Sequence, residues 1–414
     1  MNNKNELTSN KEETLDNEVD TVNEENLEQK ENKKTNDSSN SNEFREKIIK
    51  MFGIVIIALI VVLFVGFLIS LFSHKKYTYA DVEDVMKNAA IDYFKDNKNK
   101  LPKNSSEIVE IDSDVLANNK YMKTLDKYLK DKECSGKVSV EKTDTNSYSY
   151  TSKLSCRDYT TTKLYAEVTK SDNIVTDGFG LYSLNNEYVY RGSDVNNYVR
   201  FSDSKRLWRI IKVTSNNEVV LISAKKTNEL YIWDNRYNNQ TGDNSGIGLF
   251  KNSKISNTLK DLYDNKYVKK NDDGEVEFLT SEDKKKLVDF NSCVGSRSKT
   301  DNSKDATKEC SVQETVKISL ISAYDFLNAS LDTNCNSTES PSCQNYNYLA
   351  RGYSYWTSTP SEKVSGKVYK VNNSGYLQKS LASNDGYIRV VVHLSENTML
   401  EKGKGTKSNP YVVR

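Results

Sequence analysis

Histidines, which carry much of the acid–base chemistry in proteins, are rare in this chain. His74 and His393 are its 2 histidines among 414 residues. A Ser-His-Asp triad would need His393, and the sequence has no G-x-S-x-G turn to expose a nucleophilic serine. His393 ends an apolar run at residues 388–392, which is typical of a histidine at the end of a buried strand. We predict no catalytic residues and a chain that is not an enzyme.

An oxygen-rich segment after Trp233 is the best candidate for a metal site. Carboxylate and amide side chains are clustered there, and such hard oxygen ligands suit Ca²⁺. The members of the cluster are Asp234, Asn235, Asn238, Asn239, Asp243 and Asn244. Asn and Asp are also the usual residues of loops, so a loop without a metal is the alternative. We name Asp234, Asn235 and Asp243 as candidate calcium ligands and expect no other cofactor.

The six cysteines have no C-x-x-C spacing of the kind found in zinc sites. Two pairs flank hydrophilic loops, which favours disulfides that pin those loops; a redox or metal-binding role is the alternative. The third pair lies at the ends of a predicted hairpin centred on Thr145, where opposed positions suit a cross-strand disulfide. The predicted disulfides are Cys134–Cys156 in the hairpin, and Cys293–Cys310 and Cys335–Cys343 at the loops.

Residues 51–72 form an uncharged apolar run, MFGIVIIALIVVLFVGFLISLF. A helix of this length covers the roughly 30 Å hydrocarbon core of a bilayer. The run is longer than the apolar part of a signal peptide, and no small-x-small cleavage site follows it. The sequence therefore predicts one transmembrane helix.

The orientation of this helix is indicated mainly by the cysteines. Basic residues flank the run on both sides, with a slight bias that favours a cytoplasmic N-terminus. All six cysteines follow the run, as expected if disulfides form outside the cell. We predict a single-pass protein of the cell membrane with an extracellular C-terminal region. The net charge of +1 gives no field that would recruit nucleic acid.

Composition and patterning divide the chain into four segments. Residues 1–44 are polar and predict a disordered cytoplasmic tail, and residues 45–76 contain the anchor with its flanks. Residues 77–176 predict a membrane-proximal α+β domain. Its helices are expected after a T-x-x-D start at Thr78 and at 115–129, and its strands at 137–141, 148–154 and 164–168. Residues 177–414 predict a larger, β-rich ectodomain.

A long N-terminal helix followed by a small disulfide-bearing sheet resembles type IV pilins and pseudopilins over residues 51–175. In pilin precursors the cleavage-site glycine is followed by an aromatic residue, with a glutamate five positions on. Gly53 is followed instead by IVIIA. The resemblance therefore implies the shape of a stalk, and assembly into a pilus is an alternative function.

Alternating and apolar runs predict the elements of the second region. Strands are expected at 187–191, 197–201, 207–213, 218–223, 368–371, 388–393 and 411–413, and helices at 255–263, 281–288 and 323–329. Within 207–213 the alternation puts Trp208 on the core side of the sheet. The last strand, 411–413, is expected to return beside the opening strands.

Ordered motifs in this region carry a second resemblance. They read VNNYVRF, RLWRII, IWDNRYN, KISLISAYDFLNAS, YWTSTPS, GYIRVVVHLS and KGTKSNPYVV. Together they resemble a family of uncharacterised bacterial surface domains with the C-type-lectin-like fold that formylglycine-generating enzymes share. The resemblance implies that Trp208, Trp233 and Trp356 are core or motif-framing residues. The expected fold class is α+β: one transmembrane helix, a small pilin-like stalk domain and a larger, mostly β lectin-like domain.

These features favour a non-catalytic binding or adhesion module displayed at the cell surface. Its ligand would be an extracellular protein or glycan. The loop at 361–367, after Tyr355 and Trp356, is a candidate ligand-bearing end, where exposed rings could stack on sugars; burial of both rings is the alternative. A pilin-like envelope component and a copper-dependent enzyme of the formylglycine-generating type are the other functional hypotheses.

Overall fold

The computed structural model of the chain describes residues 38–72, 77–105, 107–130, 133–201, 205–266, 278–301, 306–361 and 366–414. The chain divides into two compact units, residues 1–75 and residues 76–414. Residues 1–37 of the predicted tail and residues 362–365 of the predicted ligand-bearing loop lie outside the described residues.

The first unit contains one long helix, α1 (Ser38–Phe72). Its stretch Arg45–Phe64 is 20 residues long with a mean hydropathy of 2.7, and none of it is buried inside the protein. Twenty residues of α-helix span roughly 30 Å, so α1 is long and apolar enough to cross a membrane. A signal sequence would have the same length and composition, and the described part of the chain has no second helix of this kind.

The second unit begins with a helix packed on a small antiparallel sheet. Its elements are α2 (Tyr79–Asp96), β1 (Ile108–Asp112), α3 (Ser113–Asn118), β2 (Ser135–Asp144), β3 (Ser147–Cys156) and β4 (Tyr159–Thr160). The sheet order is β1-β2-β3-β4. A capping box between Thr78 and Asp81 starts α2, and Met86 and Phe94 of α2 share a core with Val138 of β2.

Two predictions in this part of the chain are wrong. The helix expected at 115–129 ends at Asn118, because Lys120 adopts a left-handed backbone (φ 67°), and only a 3₁₀ turn, Leu125–Lys127, follows. The strand expected at 164–168 is a helix, α4 (Leu164–Val168). The apolar residues of LYAEV lie two and four positions apart, a spacing that fits both the two-residue repeat of a strand and the 3.6-residue repeat of a helix. In the helix, Leu164 and Val168 are neighbours on one face, and both are buried. Strand β1 was not predicted.

The larger part of the unit is built mainly of strands. Its elements are β5 (Thr162–Lys163), α4, β6 (Gly180–Leu184), β7 (Glu187–Arg191), β8 (Tyr198–Phe201), β9 (Trp208–Val213), β10 (Val219–Ser223), β11 (Tyr231–Ile232), α5 (Lys254–Tyr263), α6 (Ser281–Lys285), β12 (Leu287–Val288), β13 (Phe290–Cys293), β14 (Gln313–Val316), β15 (Ser319–Leu320), α7 (Ala323–Asn328), β16 (Tyr355–Pro360), β17 (Lys367–Val371), β18 (Leu377–Leu381), β19 (Asp385–Gly386), β20 (Val390–Leu394), β21 (Met399–Lys402) and β22 (Tyr411–Val413).

The main sheet runs in the order β12-β20-β10-β9-β8-β22-β21-β5. All five residues of β10 are buried, as are five of the six residues of β9, so these central strands are covered on both faces. The last strand returns to the start of the region: Tyr411 of β22 lies opposite Val199 of β8 in a parallel pair. A separate sheet, β16-β17-β18, packs into the same core through Tyr355 and Val368.

The small and large parts of the second unit are joined through a strand pairing and through the ion pairs of Arg414. Strand β5 pairs with β21, with Lys163 opposite Met399. Arg414, the last residue, forms ion pairs with Glu83 and Asp84 of α2. The predicted membrane-proximal domain includes residues 162–176, but Leu164 and Val168 of this segment lie in the core of the larger part.

Candidate functional site

The carboxylates of the predicted calcium loop hold the loop itself together. Asp234 is fully buried and accepts hydrogen bonds from Arg236 Nε at 2.9 Å and from the Ile247 backbone N–H at 3.0 Å. Asp243 accepts from the Thr241 hydroxyl at 2.7 Å and from a backbone N–H at 2.9 Å. These hydrogen bonds lower the pKa of Asp243. Both oxygens of Asp234 therefore accept from protein donors, whereas the two hydrogen bonds of the exposed Asp243 both end on its Oδ1.

The asparagines Asn235 and Asn238 of this loop do not converge on a common site with the carboxylates. Asn235 is exposed, while the buried Asn238 donates to the Gly246 carbonyl at 2.7 Å. Within the described ranges, no group of three or more His, Cys, Asp or Glu side chains is arranged to hold a metal ion. The arrangement is that of a loop stabilised by Asx-type hydrogen bonds.

His393 lies on β20 in a fixed, largely buried position. Its Nδ1 is 2.8 Å from Glu218 Oε2, and its ring stacks on Phe290 with the ring centroids 3.7 Å apart. Burial lowers the pKa of His393, and the hydrogen bond with Glu218 opposes that effect. The imidazole thus packs as part of the core and orients one carboxylate at the sheet's surface.

The structure contains three disulfides, and they join the same pairs that the sequence analysis names. They are Cys134–Cys156, Cys293–Cys310 and Cys335–Cys343. Ser135 lies opposite Ser155 in the β2–β3 ladder, which places the first pair at adjacent opposed positions. None of the six cysteines is a free thiol, so none is available as a nucleophile or a thiolate ligand in this state.

The three tryptophans are fully buried. Trp233 donates its indole N–H to the Thr357 carbonyl at 3.0 Å, and Trp356 donates to the Tyr231 carbonyl at 2.7 Å. Trp208 lies edge-on to Phe201 and Phe278. Tyr355 is buried as well. The rings considered for sugar stacking at residues 355–356 therefore belong to the core.

A group of buried arginines stands out because sequence reasoning did not single it out. Arg209 of β9 and Arg389, just before β20, are 3% and 0% exposed. Arg351 is half-buried in the loop that precedes β16. Arg389 donates to the carbonyl of Ser223, which lies opposite Trp208, the neighbour of Arg209 on β9. The charges of Arg351 and Arg389 both act on Arg209 and on the Tyr355 hydroxyl. We call Arg209, Arg351 and Arg389 the arginine cluster.

Neutral groups surround the arginine cluster. Arg209 donates to Asn197 Oδ1 at 2.7 Å and to the Val195 carbonyl at 3.1 Å. Its guanidinium carbon lies 4.3 Å from the ring centroid of Tyr198 and 4.6 Å from that of Tyr348. Among the ion pairs of the described residues, none includes a member of the cluster. The positive charges are therefore met by amides, carbonyls and aromatic faces.

Titration does not supply a negative charge to the cluster. Burial raises the pKa of Tyr355 to about 12, and it also raises the pKa of Tyr348, so both phenols are neutral at neutral pH. Burial, together with repulsion from the charges of Arg351 and Arg389, lowers the pKa of Arg209 to about 10. Arg209 therefore remains cationic at neutral pH.

Signals for the cluster were present in the sequence. Arg209 interrupts the apolar strand in RLWRII, and Arg389 precedes the apolar run in GYIRVVV. A basic residue inside a strand that is buried on both faces needs a partner or a function. The alternation assigned Arg209 to one face of β9, but it could not show that this face is also covered.

Comparison of the chain with protein-family models, with curated proteins and with solved structures finds no match. Its function is therefore inferred from the geometry of its own residues.

Proposed function

We propose that the protein is a single-pass membrane protein that displays residues 76–414 outside the cell as a binding or adhesion module. One observation carries this proposal: an exposed apolar helix precedes a unit whose six cysteines are all disulfide-bonded. An apolar helix of this length requires a hydrocarbon environment, and structural disulfides persist in oxidising compartments. Both features are accounted for if α1 is the anchor and the N-terminus is cytoplasmic.

Binding is favoured over catalysis by the state of the reactive side chains. The cysteines are oxidised, and His393 is held between Phe290 and Glu218. The arginine cluster instead offers charge and hydrogen-bond donors, which are the means of recognising a ligand. The return of β22 beside β8 supports a lectin-like frame, in which the two ends of the domain lie together.

The proposal is tested by placing a different epitope tag at each end of the full chain in intact bacterial cells. External protease should remove the C-terminal tag and leave the N-terminal tag, and the chain should stay in the membrane fraction after an alkaline wash. A thiol reagent should label no cysteine until reductant is added. Digestion of the N-terminal tag, or release of a chain shortened at about residue 72, would overturn the proposal.

A structural role in the envelope is a second candidate, favoured by α2 packing against the disulfide-bearing sheet β1-β2-β3-β4. This arrangement supports the pilin-like shape of a stalk. Filaments on the cell surface, or extraction in mild detergent only as a large oligomer, would favour this role. A monodisperse monomer or small oligomer would favour the binding module.

A further inference from the structure

We propose that the arginine cluster is a binding site for an oxyanion, namely a carboxylate, phosphate or sulfate group of an extracellular ligand. This inference rests on the proposed function, since the ligand is taken to come from outside the cell. It adds the place of binding and the chemical class of the group that is bound.

The first support is an imbalance of charge. Three guanidinium groups lie together, and the two most buried, Arg209 and Arg389, have no carboxylate partner in the described part of the chain. A buried ion without a counter-ion is strongly disfavoured, because it loses hydration and gains no attraction in return. The neighbouring positive charges increase this penalty. An oxyanion placed among them would remove it.

The second support is a set of buried donors without acceptors. Arg389 Nε donates to the Ser223 carbonyl at 3.0 Å, and its guanidinium interacts with the neutral Tyr355 hydroxyl. Neither Nη1 nor Nη2 has an acceptor in good hydrogen-bonding geometry among the described residues. The Nε of Arg351 lacks an acceptor in the same sense. Native proteins rarely leave buried donors unsatisfied. A group with two or three oxygens fits the planar fork of a guanidinium, because it can accept two parallel hydrogen bonds.

The third support is the chemistry beside the cluster. Tyr353 lies next to Tyr355, with ring centroids 6.1 Å apart, and next to Tyr387 at the same separation. Lys226 Nζ is 3.2 Å from the ring centroid of Tyr387, and no ion pair among the described side chains includes it. Lys226, Tyr353 and Tyr387 are half-buried. They therefore place one more cation and two rings where the rest of an anionic ligand would lie.

Thermal unfolding of the full-length protein in detergent micelles tests the proposal. Sodium phosphate, sodium sulfate and sodium acetate are each titrated against sodium chloride at constant ionic strength. We expect at least one oxyanion to raise the unfolding temperature with a saturable concentration dependence, because a ligand that binds only the folded state stabilises it. A larger effect of acetate would identify a carboxylate ligand, and a larger effect of phosphate or sulfate would identify a tetrahedral one.

The variant Arg389→Met connects the effect to the cluster. We expect it to abolish the oxyanion-induced shift and to raise the unfolding temperature in chloride by about 2–4 °C, since it removes an unpaired buried charge. The matched control is Arg157→Met, which removes an exposed arginine of the small sheet region. This control should keep the wild-type shift, which separates a local effect from a change in net charge.

Three results would overturn the proposal. One is a wild-type unfolding temperature that none of the three oxyanions changes. Another is an Arg389→Met variant that responds to the oxyanions as the wild type does. If Arg389→Met does not fold, Arg351→Gln is used, and an unaltered response of that folded variant would be the third. The protease test of topology is independent, so an oxyanion site on a chain of the opposite orientation would overturn the proposed function and leave the site standing.

Discussion

Buried and largely buried cations in the larger part differ in whether a carboxylate lies beside them. Arg297 is fully buried and donates through one Nη to both oxygens of Glu309, at 2.9 and 3.0 Å. Lys212 has two carboxylate partners, Glu187 at 3.1 Å and Asp325 at 3.2 Å. In the arginine cluster, Arg209 and Arg389 are also buried but have only neutral partners. The fold thus compensates charge at two sites and leaves it uncompensated at a third.

The difference distinguishes a buried charge with a structural role from the charges that we propose bind an oxyanion. Glu309 also accepts a hydrogen bond from the Tyr324 backbone N–H, so the Arg297 pair ties the disulfide-bearing segment 293–310 to the start of α7. Such a pair specifies one arrangement of the loops, and both of its ions are satisfied. An uncompensated cluster contributes no such stability, and an oxyanion bound there would supply the missing negative charge.

The largest effect is expected at the Arg297–Glu309 pair, where the buried charges compensate each other. Arg297→Met should lower the free energy of unfolding by about 3–5 kcal/mol, because it leaves the Glu309 carboxylate buried without its counter-ion. Chemical denaturation of the full chain in detergent measures the loss. The double variant Arg297→Met with Glu309→Leu should recover much of it. If Arg297→Met and Arg389→Met were equally destabilising, the distinction between the two sites would be lost.

An intermediate effect is expected for the neutral partner of the cluster. Asn197 is fully buried, accepts from Arg209 and donates to the Ile210 carbonyl at 2.6 Å. Asn197→Ala should reduce the free energy of unfolding by about 1–3 kcal/mol, because it leaves buried hydrogen-bonding groups unsatisfied. Saturating oxyanion should reduce this loss if the bound group takes over the Arg209 donor. A loss of the same size with and without oxyanion would place Arg209 outside the binding site.

A smaller effect is expected from the aromatic faces. Tyr198→Leu should reduce stability by about 0.5–2 kcal/mol, because it removes one of the two rings that lie against the guanidinium of Arg209. Tyr198→Phe keeps the ring and serves as the control, and its stability should stay close to that of the wild type. Equal losses in the two variants would assign the effect to the hydroxyl group and not to the aromatic face.

The smallest effect is the pH dependence of stability that His393 contributes. Because burial lowers the pKa of His393, the unfolded state binds a proton more readily than the folded state does. This histidine's contribution to stability is therefore present above its unfolded pKa of about 6.5 and is lost as pH falls through the folded value. Unfolding followed between pH 7 and pH 5 should show a shallower decline for His393→Gln. An identical decline would exclude His393 as a source of this dependence.

Local sequence patterns predicted the helices and strands that have a regular spacing of apolar residues or a recognisable capping residue. The strands at 187–191 and 411–413 are observed as β7 and β22, and the helix expected at 255–263 is observed as α5, starting one residue earlier. The hairpin register that places Cys134 opposite Cys156 is also present. Short segments whose spacing fits both a strand and a helix could not be assigned from sequence. The segment 164–168 is a helix that packs into the larger core. The candidate calcium loop stays a prediction, because Asn and Asp are typical both of loops and of calcium sites.

By itself the sequence determined the apolar helix, the alternation of the core strands and the local pairing of cysteines, because each depends on residues close together in the chain. The tertiary structure alone decided which faces are covered and which charges meet. Arg209 and Arg389 are 180 residues apart, and only the adjacent positions of β9, β10 and β20 bring them together. Whether a buried charge has a partner depends on such long-range contacts, which no local pattern encodes.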